Sequence, residues 1–338
     1  MKKLLSVTVP CYNSEGYMRN CVESLLKGGD RVEIIIIDDG SKDGTGAIAD
    51  EYAANYPDIV KVVHQENGGH GEGINSGLKN ATGTFFKVVD SDDKVSDDFT
   101  AFLDALENDA KDADLVVTNY VYTYSDGKTK DNTINYKNVF DAGKLLTWDD
   151  TGKFKIKQCL TIHSCTFKTQ LMKDSGMVLP KKVFYEDNLM VCSILPLTEK
   201  IFYLNCGLYR YTIGREGQSV QADVMTKRYK HQVLVASEIF ETCHLDDMKK
   251  KSKRLYQLMY HEMYMMFGIA CLYGRRSPEE DSDKNIELMW ERAYAFDKKY
   301  AHKLRKGSSL RFINIKGGFG KAIAAFIYWL AHKVVKFN

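Results

Sequence analysis

The sequence has 338 residues, of which 44% are apolar and 27% are charged, and it is long enough for two domains or for one large domain with an added segment. No stretch approaches the roughly 18 consecutive apolar residues of a membrane-spanning helix. The eight cysteines form no Cys-x-x-Cys pair, and a chain of this size does not need disulfide bonds to hold its fold. The composition therefore argues against a membrane span and against a disulfide framework.

The first 120 residues alternate between short apolar runs rich in β-branched residues and segments with helical spacing. Residues 4–9 form the first run, and because it ends at Pro10 we interpret it as a buried strand rather than a signal peptide. This alternation predicts an α/β fold with a doubly wound, mostly parallel sheet flanked by helices. In chain order, the pattern predicts further strands at 33–37, 60–64, 84–89 and 114–118, with helices at 17–26, 45–55, 73–80 and 97–107 between successive strands.

Polar residues follow three of the predicted strands at the point where each strand ends. They are Pro10-Cys11-Tyr12-Asn13, Asp38-Asp39-Gly40-Ser41 and Asp90-Ser91-Asp92-Asp93. Sheets of this kind bind ligands at the carboxyl ends of their strands, so we expect the site at this edge. Any one of these clusters alone is more often an ordinary turn, but three at corresponding positions indicate a site.

The pattern changes after about residue 126. Residues 126–157 are polar and rich in turns, and regular alternation resumes near Thr161. Residues 223–306 indicate helices without strands. We therefore predict one domain over residues 1–222 and a helical, basic region over residues 223–338.

The C-terminal segment is basic and partly apolar. The 41 residues after Asp297 contain ten Lys or Arg and no acidic residue. Two interpretations stay open: residues 310–338 lie on an anionic membrane surface, or the apolar stripe packs on the first domain or on a second copy in a homodimer. Residues 317–338 predict a helix whose apolar stripe consists of Ile323, Phe326, Ile327, Leu330, Val334 and Phe337.

The Asp90-Ser91-Asp92 turn has the chemistry of a divalent metal site. Mg²⁺ and Mn²⁺ prefer oxygen ligands and commonly take one or two protein carboxylates beside phosphate oxygens and water. Residues i and i+2 of a strand-end turn can project in the same direction. The alternative is that these acidic residues cap the helix that begins near Asp97, and the motif alone does not separate the two.

The order and spacing of the motifs resemble those of the family-2 inverting glycosyltransferases of the GT-A fold. The resemblance covers residues 4–120 well and residues 159–220 less closely. The matching segments are Val7 to Asn13, Ile37 to Thr45, Asn67-Gly68-Gly69 with Asn75-Ser76-Gly77, Asp90 to Asp93, and Tyr185-Glu186-Asp187-Asn188.

The resemblance implies roles for individual residues. Asp92 would bind Mn²⁺ or Mg²⁺, and Asp187, beside Glu186, would be the base that takes the proton of the acceptor hydroxyl. Asp39 would accept a hydrogen bond from a uracil base. For Glu186 and Asp187 the alternative is an acidic pair stabilised by a helix N-terminus. The residues implied to bind or adjoin the donor are Pro10, Tyr12, Asn13, Glu15, Asp39, Ser41, Asp90 and Ser91.

One position departs from the family pattern. Many relatives have Ala-Arg-Asn-x-Gly where this chain has Gly73-Ile74-Asn75-Ser76-Gly77, so the arginine that often supports the donor phosphates is absent. Arg210 and Arg215 are candidates for this task, with exposed loop arginines as the equally weighted alternative. Two lone histidines, His70 and His163, are interpreted as structural.

The sequence thus predicts a metal-dependent enzyme that transfers a sugar from a nucleotide diphosphate, a UDP-sugar, to a glycan or lipid-linked acceptor in the synthesis of a cell-surface polysaccharide or glycolipid. The alternatives are a sugar-phosphate nucleotidyltransferase and a sugar-nucleotide-binding protein without turnover. We expect a cytoplasmic location, on the inner face of the cell membrane if the C-terminal helix binds lipid, and no nucleic-acid partner.

Overall fold

The structure is a computed structural model that describes residues 3–124, 129–156, 158–214, 218, 221–307, 310–315 and 317–335, with side chains in the last range as far as Trp329. The described residues divide into two compact units, one within residues 1–154 and 160–215 and the other within 155–159 and 216–338. That the chain consists of two domains with a boundary at residue 222 remains a prediction.

The first unit contains all the strands of the described chain. The strands β1 to β10 are Leu5–Cys11, Val32–Asp38, Val60–His64, Phe85–Val88, Lys94–Val95, Leu115–Tyr124, Asn132–Ile134, Leu145–Leu146, Cys165–Lys168 and Ile201–Ile213. Its helices α1 to α6 are Met18–Leu26, Thr45–Asn55, His70–Asn80, Phe99–Asn108, Thr169–Asp174 and Glu186–Ile194.

The strands form one sheet in the order β3-β2-β1-β4-β9-β6-β10-β5. Strands β1, β2, β3 and β4 pair in parallel, as do β6 and β10, which confirms the predicted mostly parallel sheet. Every residue of β1 and β2 is buried, as expected for strands that are covered on both faces. The helices and strands predicted in the first 120 residues begin and end within three residues of their expected limits, except that β6 continues six residues beyond its predicted end.

The short strands β5, β7 and β8 pair antiparallel at the margins of the sheet, and β9 lies between β4 and β6 and is antiparallel to both. An antiparallel strand starts at the edge where its parallel neighbours end. The residues just before Cys165 therefore reach the same edge as the residues that follow β1, β2 and β4.

A buried carboxylate holds the opposite edge of the sheet. The Glu33 side chain is 1% exposed and accepts hydrogen bonds from Lys61, Ser6, Thr82 and the Gly83 amide. Burial alone would raise the pKa of Glu33, but the Lys61, Ser6 and Thr82 hydrogen bonds lower it to about 2.

We expect Glu33→Ala to lower the free energy of unfolding by about 2 to 4 kcal/mol, because it leaves several buried donors unpaired. Because the folded pKa lies below the ordinary value, the stability from this ionised group is fully present above about pH 4.5 and is lost as the pH falls toward 2. Urea unfolding of both proteins at pH 7 and pH 3 measures this, and an equal difference at the two pH values would contradict it.

The second unit is helical in its described part, as predicted. Its helices α7 to α14 are Ala222–Lys227, Tyr229–Thr242, Leu245–Lys251, Lys253–Arg276, Ser282–Phe296, Lys298–Arg305, Leu310–Ile313 and Gly317–Val335. Trp290 lies at its centre, fully buried against Phe267. Arg275 is also buried and forms an ion pair with Asp283.

Candidate functional site

Apart from the two arginines, the predicted site residues of the first unit lie at the edge where β1, β2 and β4 end. Three non-glycine residues among those described have a positive φ, namely Asn13 at 49°, Lys182 at 56° and Tyr185 at 71°. All three lie in loops at this edge. Backbone strain of this kind is concentrated at functional sites, where the surrounding structure holds it in place.

The loops after β1 and β2 are joined by three of the predicted residues. The Asn13 side chain accepts from the Lys42 amide at 2.8 Å, and Glu15 accepts from the Gly44 amide at 2.6 Å. The Ser41 hydroxyl accepts from the Asn13 amide at 3.1 Å. These side chains therefore shape the loops, and direct contact with a ligand remains a prediction for each of them.

Asp39 organises the loop that follows β3. Its carboxylate is 3% exposed and accepts from the Gly68 and Gly69 amides at 2.8 Å each and from the Gln65 side chain at 2.7 Å. Gly69 has a φ of 86°, a conformation that favours glycine. The pairing of Asp39 with a uracil base remains a prediction.

An open cavity of about 660 Å³ lies between these loops. The ring of Tyr12 is 50% exposed on its wall, so a planar base has an aromatic surface on which to stack. Pro10 packs nearby against α3, where a Cβ on Gly73 would lie 3.0 Å from the proline Cβ. The other lining residues include Lys42, His64, Gln65, Asn67 and Lys182.

Asp90 lies between two histidines. His70 Nε2 is 2.9 Å from Oδ1 of Asp90, and His163 Nε2 is 3.8 Å from its Oδ2. Burial alone would raise the pKa of Asp90, but hydrogen bonds with His163 and His70 lower it far below the ordinary value. Asp90 is therefore an ionised carboxylate. His163 is held in place by stacking on Tyr211, with ring centroids 4.5 Å apart.

The other acidic residues of this turn have different surroundings. Asp93 is buried and accepts from the Tyr209 hydroxyl at 2.7 Å and the Thr212 amide at 2.8 Å. Burial, together with the charges of Asp90 and Asp92, raises the pKa of Asp93. The Ser91 hydroxyl lies 2.9 Å from that of Ser14 and joins this turn to the loop after β1.

The turn fits a divalent cation. Asp90, Asp93 and His163 each offer one ligand atom, and these atoms lie within 4.8 Å of one another. The two carboxylates supply the oxygen ligands that Mg²⁺ and Mn²⁺ prefer. Asp92, the predicted metal ligand, belongs to the same turn but not to this group, and its role stays a prediction.

Asp187 and Glu186 form the first turn of α6. Glu186 is buried, and its Oε1 lies 2.7 Å from His70 Nδ1. Asp187 accepts from the Asn188 side chain at 3.0 Å. Burial and the neighbouring charge of Glu186 raise the pKa of Asp187 to about 6. A carboxylate with a raised pKa at a site of this kind is suited to act as a general base near neutral pH.

The structure does not support a donor-binding role for Arg210. Its guanidinium lies 3.6 Å from Asp131 and lines a separate cavity with Lys27, Lys94 and Asp97. The physical reason is the alternation of side chains along β10, which directs Tyr209 toward Asp93 and its neighbour Arg210 away from it. Arg215, the other candidate arginine, lies outside the described residues.

His70 and His163, which we interpreted as structural, both lie beside Asp90. Helix α3 begins at His70 rather than at residue 73, so this side chain belongs to the first turn, next to Asp90. Its position just after Asn67-Gly68-Gly69 was a usable signal. His163 has no local signal, because it reaches Asp90 only through the placement of β9 between β4 and β6.

Comparisons with known proteins identify the family of the chain. The model of the family "Glycosyl transferase family 2" matches residues 6–174, half of the chain. The putative glycosyltransferase EpsH of Bacillus subtilis is 42% identical over 132 residues, which are 38% of each chain. The uncharacterized glycosyltransferase EpsJ of the same organism is 27% identical over 307 residues, 86% of this chain and 84% of EpsJ. The chain spans less than half the length of several curated relatives that it matches, EpsH among them.

Among solved structures, residues 1–349 of TarS from S. aureus in complex with UDP-GlcNAc align with a TM-score of 0.60 and 21% identity, over 92% of this chain and 90% of the TarS chain. At this identity the likeness concerns the fold, which is GT-A. The matching model, the relatives and the shared fold together show that this chain belongs to glycosyl transferase family 2.

Proposed function

We propose that this protein is an inverting, metal-dependent glycosyltransferase that moves a sugar from a UDP-sugar to the hydroxyl of a glycan or lipid-linked acceptor in the synthesis of a cell-surface polysaccharide or glycolipid. The observation that carries the proposal is the placement of the Asp90 turn and of Asp187, with its raised pKa, at one edge of the sheet. The UDP-GlcNAc in the TarS structure supports the choice of donor.

The donor side consists of the cavity beside Tyr12 and the turn at Asp90. The nucleobase would stack on the Tyr12 ring, which lines this cavity, with Asp39 as its hydrogen-bond acceptor and Asp90 toward the ribose. A divalent cation held at the acidic turn would offset the negative charge that develops on the departing diphosphate. The ionised state of Asp90, which its two histidines maintain, keeps that turn negative at neutral pH.

The acceptor side is served by Asp187. The acceptor oxygen forms its bond to the anomeric carbon while the bond from that carbon to the diphosphate breaks, and the acceptor proton passes to the Asp187 carboxylate. The diphosphate leaves with the bonding electrons. Because one displacement takes place from the face opposite the leaving group, the configuration at the anomeric carbon is inverted.

Thermal unfolding with a panel of nucleotides tests the donor assignment. A ligand that binds only the folded state stabilises it by RT ln(1 + [L]/Kd), so UDP at 100 times its Kd adds about 2.7 kcal/mol. We expect UDP and one UDP-sugar, each with Mn²⁺, to raise the melting temperature more than GDP, ADP or Mn²⁺ alone. An equal shift with every nucleotide would contradict the assignment of the uracil pocket.

We also propose that α14 attaches the protein to the inner face of the cell membrane. No helix in the described part of the chain combines the length and the apolar character that crossing a membrane requires. One side of α14 packs within the second unit through Ala324, which is buried, and Tyr328, which lies under Arg276. On its other side Phe319, Phe326 and Trp329 are 71%, 59% and 50% exposed.

The exposed aromatic residues and the surrounding charges support an anionic lipid surface as the partner. A helix with an aromatic face and basic flanks lies in the headgroup region, and each basic residue near an anionic leaflet adds about 1 kcal/mol. Residues 298–338 carry ten Lys or Arg and no acidic residue. A second copy of the chain is the alternative occupant of this face.

We expect Phe326→Asp with Trp329→Asp to reduce binding to anionic vesicles at least about tenfold, because both rings would leave the apolar layer. Co-sedimentation with vesicles of 30% phosphatidylserine at low salt measures this, with neutral vesicles and the packed-face variant Ala324→Ser as controls. Unchanged vesicle binding together with a change from dimer to monomer in light scattering would assign the face to a subunit contact instead.

A further inference from the structure

His70 connects two parts of the site that the chain keeps far apart. Its ring lies between Glu186 at the start of α6 and Asp90 after β4, with distances of 2.7 Å from Nδ1 to Glu186 and 2.9 Å from Nε2 to Asp90. Glu186 is 116 residues away in the sequence and Asp90 is 20. We call these three side chains the His70 bridge.

The neighbouring residue makes room for the bridge. A Cβ on Gly71 would lie 2.8 Å from Cγ of Glu186, so only glycine lets the Glu186 side chain approach α3 this closely. Glu186 is itself 1% exposed and has the histidine as its hydrogen-bond partner in a buried position. A buried carboxylate must be paired, so the His70 contact determines where the first turn of α6 lies.

The bridge also bears on the absent arginine. Ile74 stands where many relatives carry that residue, and it is fully buried. His70 lies four residues earlier on α3, so the two positions share one face of the helix. This chain thus has its basic group one helical turn before the position of the missing arginine, and that group contacts two carboxylates.

We propose that His70 is a positioning residue that fixes the first turn of α6, and with it Asp187, against the Asp90 turn, so that donor binding at Asp90 orders the base on the acceptor side. Only the ordering of Asp187 by donor binding rests on the proposed function. Each nitrogen of the His70 ring lies within hydrogen-bond distance of one of the two carboxylates. Loss of the ring nitrogens would therefore release α6 from the donor side without emptying the space that the ring fills.

Hydrogen exchange of the ligand-free protein tests the bridge without any assay of activity. We expect His70→Phe to speed exchange of amides 188–192 at least about fivefold, while amides 74–80 of α3 stay unchanged. His64→Phe is the matched control, because His64 also lies between two carboxylates, Asp38 and Asp50, but these belong to β2 and α2. Equal exchange at 188–192 in His70→Phe and wild type would overturn the proposal.

Exchange with UDP and Mn²⁺ tests the coupling. In the wild type we expect these ligands to slow exchange at 188–192, and in His70→Phe to slow it only around residues 39 and 90. Protection of 188–192 in both proteins would overturn the coupling. If UDP protects no part of the wild type, the proposed function fails, whereas the ligand-free experiment still decides whether the bridge holds α6.

Turnover distinguishes positioning from a general loss of structure. We expect His70→Phe to lower kcat about tenfold and the affinity for UDP less than about threefold. The reason is that the general base Asp187 is misplaced while the pocket for the uracil ring is intact. His70→Gln restores part of kcat, because its amide can donate to one of the two carboxylates. Equal losses in kcat and in UDP affinity, without rescue by glutamine, would show that His70 only maintains the fold.

Discussion

Asp187→Asn is expected to lower the rate of sugar transfer by about 10² to 10⁴, the usual contribution of a general base, while the affinity for UDP stays within about twofold. The amide has nearly the shape of the carboxylate but cannot accept the acceptor proton. The raised pKa of Asp187 and its position beside Glu186 support this role. Steady-state release of UDP and calorimetric titration of UDP measure the two quantities.

The pH dependence of the wild type follows from the same group. The base must be ionised, and burial with the charge of Glu186 raises its pKa to about 6, so turnover falls about tenfold per pH unit below that value. In Asp187→Asn we expect no such fall of turnover at acidic pH. Asp174→Asn, at the exposed end of α5, is the control, and it keeps both the wild-type rate and the fall below pH 6. A variant at 187 that retains more than about a tenth of wild-type transfer would place the base elsewhere.

Asp92→Asn is expected to weaken the Mn²⁺-dependent part of UDP binding at least about tenfold and to reduce turnover correspondingly, because a metal site that loses a carboxylate loses charge and a ligand. Asp92 lies in a loop and is partly exposed, so we expect the melting temperature without ligands to change little. Calorimetric titrations of UDP with and without Mn²⁺ separate the two parts of binding.

Asp97→Asn is the matched control for this experiment. It removes one carboxylate five residues further along, where the side chain is 96% exposed and pairs with Lys27. We expect the Mn²⁺ dependence of UDP binding to be that of the wild type. Unchanged dependence in Asp92→Asn as well would remove Asp92 from the metal site and leave Asp90, Asp93 and His163 as its ligands.

The parallel part of the fold was predictable because its signal is local. Strands buried on both faces require continuous apolar runs, and β1 and β2 show them without interruption. The placement of β9 was not predictable, because the sequence of a four-residue strand does not indicate which two strands it pairs with. The polar stretch after residue 126 likewise gave no sign of the short pairing of β7 with β6.

The site residues also divide into those with a local sequence signal and those placed by long-range pairing. Asp90 and Asp187 follow from motifs that stand next to a strand end and a helix start. His163 depends on long-range pairing, so local sequence cannot show its role. Arg210 shows the opposite case: we considered it for the donor phosphates, with an exposed loop arginine as the equal alternative, but alternation along β10 directs its side chain into another cavity.

The measurement that tests the central claim most directly is the release of UDP from a UDP-sugar in the presence of Mn²⁺, by the wild type and by Asp187→Asn, with and without a lipid acceptor. We predict release by the wild type that rises with acceptor and falls by about 10² or more in the variant. UDP-sugar binding without release in any condition would contradict the account and identify a binding protein without turnover.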